Sequence, residues 1–132
     1  MPVCPEVDGG LATPRPAAEI VDPGGGRAVL AGIAFVRTAA GLDVTDSFTA
    51  GARIALETAQ RHAIRVAILK EGSPSCGSAV IYDGSFSGRR AADVGVTTAL
   101  LQANGIRVFS DAEIEAAEAW LEELATRKAI AP

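Results

Sequence analysis

Aromatic residues are scarce in this sequence, 5% of 132 residues, with one Trp, one Tyr and four Phe. That scarcity argues against a β-sandwich and favours helices packed closely on a small sheet, which abundant Ala, Val, Ile and Leu can build. Long apolar runs are also absent. No stretch approaches the roughly 20 apolar residues that cross a bilayer, and the opening MPVCPEVDGG lacks the basic start and apolar run of a secretory leader. Basic clusters are missing too: twelve Lys and Arg stand against sixteen Asp and Glu, a net charge of -4, with no Lys/Arg stripe interleaved with aromatics. The expected partners therefore include neither nucleic acid nor membrane, and the expected location is cytoplasmic.

Cysteine is nearly absent, Cys4 and Cys76 being the only two. They lack the dense even spacing of a secreted disulfide scaffold and read as thiols, although spacing alone leaves a bridge between them open. The single histidine, His62, falls near a predicted helix end, where a capping or surface role is far commoner than catalysis.

What remains is a chain with a 48% hydrophobic share, enough for one core and one domain over residues 1–132. Residues 2–7 suit a strand that Pro2 and Pro5 confine to an edge. Two breaks follow, one at Asp8-Gly9-Gly10 with Thr13-Pro14-Arg15-Pro16, the other at Pro23-Gly24-Gly25-Gly26, which reads as a surface turn. Residues 27–37 suit two short strands or a hairpin. Thr45 or Asp46 can cap a helix that buries Phe48, Ala52, Ala55, Leu56, Ala59 and Ala63.

The β-branched run over residues 64–69 predicts a central parallel strand that delivers a loop at Lys70-Glu71-Gly72. A helix near 95–104, stopped by Gly105, buries Val96, Ala99, Leu100 and Ala103, and a strand over 106–109 follows. Ser110 and Glu113 form a capping box for a last helix that turns Ile114, Ala117, Leu121 and Leu124 to the core. The order predicts an α/β domain on a small, mostly parallel sheet flanked by helices.

In such sheets ligands bind beyond the carboxyl ends of the strands. Cys4-Pro5-Glu6 and Ser73-Pro74-Ser75-Cys76-Gly77 both lie beside predicted ends, so two thiols, a carboxylate and a hydroxyl are candidates for one site. Thiolates suit soft metals and iron-sulfur clusters, a carboxylate such as Glu6 can move a proton, and Ser73 can donate one or hold a developing anion. The plainer alternatives are a small buried hydrophobe for each cysteine and turn chemistry for Glu6 and Ser73. The 72–77 loop follows a strand as a phosphate loop does, yet lacks the GK[ST] ending, and Pro74 removes an N–H donor. Arg15 suits an anionic or carbonyl group of a substrate or a surface ion pair, while Tyr82 and Phe86 suit stacking on a ring or plain packing. Capping explains Asp43, Thr45 and Asp46, and the acidic residues from Asp111 to Glu123 read as a solvated helix face.

Four strings, PVCPEVDGGLATPRPAAEI, GLDVTDSFTAGA, LKEGSPSCGSAVIYDGSFSG and GVTTALLQANGIRVFSD, stand in an order that resembles the signature blocks of the "domain of unknown function 523" family, which includes thiouracil desulfidases. The resemblance implies a three-layer Rossmann-like domain and a 4Fe-4S cluster held by three cysteines, one iron being left to the substrate's sulfur. It matches Cys4 and Cys76 to two of the cluster ligands, Glu6 to the catalytic carboxylate and Ser73 to the catalytic serine. The implied chemistry is non-redox removal of sulfide from a thiolated pyrimidine such as 2-thiouracil, with water supplying oxygen.

One departure stands out. The family's first cluster cysteine lies in a CLLG-like block, and this chain begins after it, so the expectation is an N-terminally truncated domain or one that has lost its cluster. A missing strand also leaves a sheet edge for another chain, as in a homo-oligomer. The alternatives to a desulfidase are a non-catalytic interaction domain and a mononuclear Zn or Fe site built from Cys4, Cys76 and Glu6.

Overall fold

A computed structural model describes residues 9–10, 17–70 and 73–130, with side chains described as far as residue 126. Its elements run β1 (Ala18–Ile20), α1 (Gly25–Leu30), β2 (Val36–Thr38), α2 (Thr45–Arg61), β3 (Val66–Leu69), β4 (Val80–Tyr82), β5 (Arg90–Ala92), α3 (Val96–Ala103), β6 (Arg107–Ser110) and α4 (Ile114–Ile130). The class is mixed α/β, with small sheets and flanking helices. The expected residue 2–7 strand lies outside the described residues.

The mostly parallel sheet is not what the described strands form. β1 pairs with β2 and β4 with β5, both antiparallel, and only β3 with β6 is parallel. The β4 and β5 strands are joined by a loop short enough for a hairpin, whereas the β3 to β6 connection holds α3 and so allows parallel return. The register of that pair sets Val66 against Arg107 and Leu69 against Ser110.

Two apolar clusters hold the layers. Phe48 and Ala52 of α2 meet Ile20, Ala28, Val29, Val36, Ile81 and Val96, while Ala59 meets Leu101, Ile106 and Val108. Phe48 and Ala59 lie eleven residues apart, three helical turns, so one face of α2 serves both clusters. Ala55 and Leu56 are half-buried, and Ala63 is exposed beyond the helix end with φ 53. Neither Thr45 nor Asp46 is the N-cap. Val44 takes that position, while Asp43 accepts the Thr45 N–H at 2.9 Å and Thr45 Oγ1 accepts the Val36 N–H at 2.9 Å, tying α2 to β2.

The reading of residues 27–37 as two strands fails in its first half, and the glycine run is not a surface turn. Gly24 caps α1, and Gly25 and Gly26 are buried within it. A Cβ on Gly26 would lie 2.1 Å from the Gly95 carbonyl oxygen, so only glycine lets α1 approach α3 so closely. The Gly26 N–H donates to the Val94 oxygen at 2.7 Å, a contact local pattern cannot report.

The last helix departs similarly. Ser110 and Glu113 do act at its start: the Ser110 N–H donates to Glu113 Oε1 at 2.9 Å, and the Ala112 N–H to Ser110 Oγ at 3.3 Å. Ala117 is buried, but Ile114 and Leu121 are 49% and 48% exposed, so α4 lays down a narrower face than the four-residue stripe predicts. β3 is only partly covered in its turn, with Ile68 47% exposed. Among the described residues no helix is long and apolar enough to cross a membrane.

Candidate active site

β3 ends at Leu69, and the chain re-enters the described structure at Ser73. Residues 73–77 form a single tight turn, closed by the Gly77 N–H donating to the Ser73 carbonyl at 3.0 Å. Inside it the Ser73 hydroxyl oxygen accepts two backbone N–H groups, from Ser75 at 3.1 Å and Cys76 at 2.7 Å. A serine hydroxyl has two acceptor positions and one proton. With both acceptor positions engaged, the function left to Ser73 is donation.

The turn docks on the start of α3. The N–H groups of Val96 and Thr97 donate to the carbonyls of Pro74 and Ser75 at 2.7 and 2.8 Å, and the Gly95 N–H donates to Gly77 at 2.9 Å. The orphan donors of the helix are thus satisfied by the turn's own carbonyls, and the two segments become one unit. A Cβ on Gly95 would lie 2.4 Å from the Ser75 carbonyl carbon, so glycine is what permits the contact.

Side-chain hydroxyls reinforce it. Ser75 and Thr97, both fully buried, share a 2.7 Å hydrogen bond, and Thr98 Oγ1 donates to the Cys76 carbonyl at 3.1 Å. Cys76 is 9% exposed, with its Sγ 3.6 Å from Ser75 Oγ. The structure therefore brings Ser73 and Cys76 onto one turn. Cys4, Glu6 and Arg15 lie outside the described residues. Ser75 stood within the candidate segment without a role of its own, and Thr97 and Thr98 were not singled out from sequence; the adjacent threonines at a helix start were the available signal, but their partners come from another segment.

A family model described as 2-thiouracil desulfurase matches residues 1–113. The chain belongs to the 2-thiouracil desulfurase family. Its relatives include an uncharacterized protein, YbbK, of Bacillus subtilis (strain 168), 49% identical over 111 residues that make up 84% of this chain and 73% of YbbK. A solved structure, the [4Fe-4S]-dependent thiouracil desulfidase TudS, is similar with a TM-score of 0.82 and 47% identity, over 92% of this chain and 74% of that one. The family resemblance seen in the four sequence blocks is thus the correct one.

For the family's cluster the donor set is met in part. Cys76 offers a buried thiol on a turn braced by hydroxyls, while among the described residues no three His, Cys, Asp or Glu side chains converge as a metal site. Cys4 is the chain's other thiol.

The remaining candidates take plainer places. His62 is exposed just past α2, its N–H donating to the Thr58 oxygen at 3.2 Å. Asp43 is held below its ordinary carboxyl value by the Thr45 side chain and then by the Thr45 N–H. Asp83 is held down by the Ser85 hydroxyl and then its N–H. Tyr82 lies under the Arg90 guanidinium at 5.6 Å, and Phe86, at φ 57, donates its N–H to Glu19 Oε1 at 3.3 Å.

Proposed function

We propose that this protein removes sulfur from a thiolated pyrimidine such as 2-thiouracil, without net redox change, at a cluster to which Cys4 and Cys76 contribute two thiolates. The observation that carries the reading is the 73–77 turn, where one hydroxyl grips the N–H of the cysteine and keeps its own proton for donation. Family membership supplies the reaction class. The parallel β3–β6 pair, with α3 in its crossover, is the part of the described fold that a three-layer Rossmann-like sheet would extend.

When bound, the cluster supplies Lewis-acid chemistry toward sulfur. The chain's own residues do the rest. Cys76 is fixed through its backbone, its N–H by Ser73 and its carbonyl by Thr98, so its thiolate is presented without a search through loop conformations. Ser73 orients the ring or delivers a proton to it, because its accepted N–H bonds leave the O–H as its only outlet. Glu6 takes the proton from the attacking water. Substrate is a small thiolated molecule, and the reaction takes place in the cytoplasm.

The experiment is anaerobic reconstitution with iron and sulfide, followed by iron and acid-labile sulfide analysis, visible absorption and release of sulfide from 2-thiouracil. The same assays are run with an N-terminally extended chain carrying a further cysteine. Cluster retention lost in Cys76→Ser, and sulfide release lost in Ser73→Ala with the cluster kept, are the expected results. A chain that holds one zinc and no sulfide, or no cluster in either length, would overturn the reading.

A further inference from the structure

An open cleft of about 620 Å³ lies among α1, α3, β6 and α4, within the size range of small-molecule sites. Ser78 joins it from the chain just after the 73–77 turn, and Arg27, Gln102, Arg107, Phe109 and Trp120 supply most of its polar and aromatic lining. The protein as a whole is acidic, at -4, yet two guanidinium groups face this one cleft.

Arg107 is positioned by rings. Its guanidinium carbon lies 5.3 Å from the Phe109 ring centre and 5.0 Å from that of Trp120. Ring contacts of this kind hold the group in place without consuming its N–H donors. Among the described residues the Arg27 guanidinium has one weak polar contact, 3.5 Å to Gln102 Oε1. Neither arginine forms an ion pair among the described residues. The one carboxylate among the described lining residues, Glu113, already accepts the Ser110 N–H at 2.9 Å.

From these observations we propose that the cleft is a binding site for a small molecule bearing an oxyanion, a phosphate or a carboxylate, held by Arg27 and Arg107 beside the Trp120 ring. Guanidinium donors match either oxyanion in a paired geometry, and the rings favour a ligand with a flat apolar part next to the charge. The proposal stands on the cleft alone and does not depend on cluster chemistry.

Trp120 is the chain's only tryptophan, so its emission reports on the cleft directly. The purified full chain is titrated with inorganic phosphate and, separately, with benzoate at constant ionic strength, following emission and calorimetric heat. Saturable binding of one molecule per chain is expected, weakened at least about tenfold in both Arg107→Gln and Arg27→Gln and unchanged in Arg90→Gln. Binding of phosphate alone assigns a phosphoryl ligand, and binding of benzoate alone a carboxylate. No saturable signal with either probe, or wild-type affinity by calorimetry in either arginine variant of the cleft, would overturn the proposal. Should Arg107→Gln fail to fold, Arg27→Gln, an exposed position on α1, decides it.

Discussion

Gly95→Ala isolates the contact on which the candidate site rests. Gly95 has φ -76 and ψ 173, extended backbone open to any residue, so alanine meets no conformational strain there. The cost is steric: the new Cβ would lie 2.4 and 2.5 Å from the Ser75 carbonyl carbon and oxygen and 2.7 Å from the Pro74 oxygen. These are backbone atoms and cannot swing aside. Relief requires the 73–77 turn to lift from α3, which stretches the Val96 to Pro74 and Thr97 to Ser75 hydrogen bonds of 2.7 and 2.8 Å. Overpacking costs about 1–3 kcal/mol and each weakened buried bond about 1 kcal/mol. Less unfolded-chain entropy returns about 0.5 kcal/mol, leaving a loss of roughly 2.5–4.5 kcal/mol from a total of about 5–15 kcal/mol.

Urea denaturation followed by circular dichroism measures it, with Gly32→Ala as the comparison. Gly32 has φ 81 and nothing within 4 Å of a new Cβ, so its cost is conformational alone, about 1 kcal/mol. A Gly95→Ala loss no larger than that of Gly32→Ala would refute the claim that turn and helix are locked by close backbone approach.

Other expectations follow from single contacts. Ser75→Ala orphans the buried Thr97 hydroxyl, and Thr97→Val leaves the Ser75 hydroxyl with the weaker Cys76 thiol contact; each costs about 1–3 kcal/mol, while the double variant costs clearly less than the sum, as a denaturation cycle would reveal. Glu19 Oε1 accepts the Gly84 and Phe86 N–H groups at 2.9 and 3.3 Å, so Glu19→Ala should loosen residues 83–88 and speed limited proteolysis there. Asp43 is held below its ordinary 3.8 in the folded chain, so its contribution is complete above that value and fades as pH falls through the lowered one. Asp43→Ala, at an exposed position, should cost about 0.5 kcal/mol at pH 7 and progressively less below pH 4, measured by thermal melts across pH.

Much of this protein was legible before any coordinates. The apolar spacing along α2, the β-branched run of β3, the Gly105 stop after α3 and the acceptor at Glu113 are local signals, and each marked an element, although β3 lies in a two-stranded pair and is only partly covered where a central strand was expected. The quoted blocks carried the family, because that many residue identities in order are more specific than any periodicity. The joint placement of Ser73 and Cys76 on one turn also follows from adjacency, since three residues cannot carry them far apart.

Tertiary contact decided the rest. Three glycines in a row look like a surface turn to a local rule; only the approach of α1 to Asp93 and Gly95 explains why two of them are buried in a helix. Strand pairing likewise depends on which edges meet, so an alternation pattern could not separate two antiparallel pairs from one parallel sheet. Composition and local spacing determined the class, and the quoted sequence blocks determined the family and, through it, the candidate residues of this protein. The three-dimensional packing alone decided that carbonyls of one segment cap the helix of another, and that Arg27 and Arg107, eighty residues apart in sequence, line one cleft, because each depends on atoms distant along the chain meeting at a few ångströms.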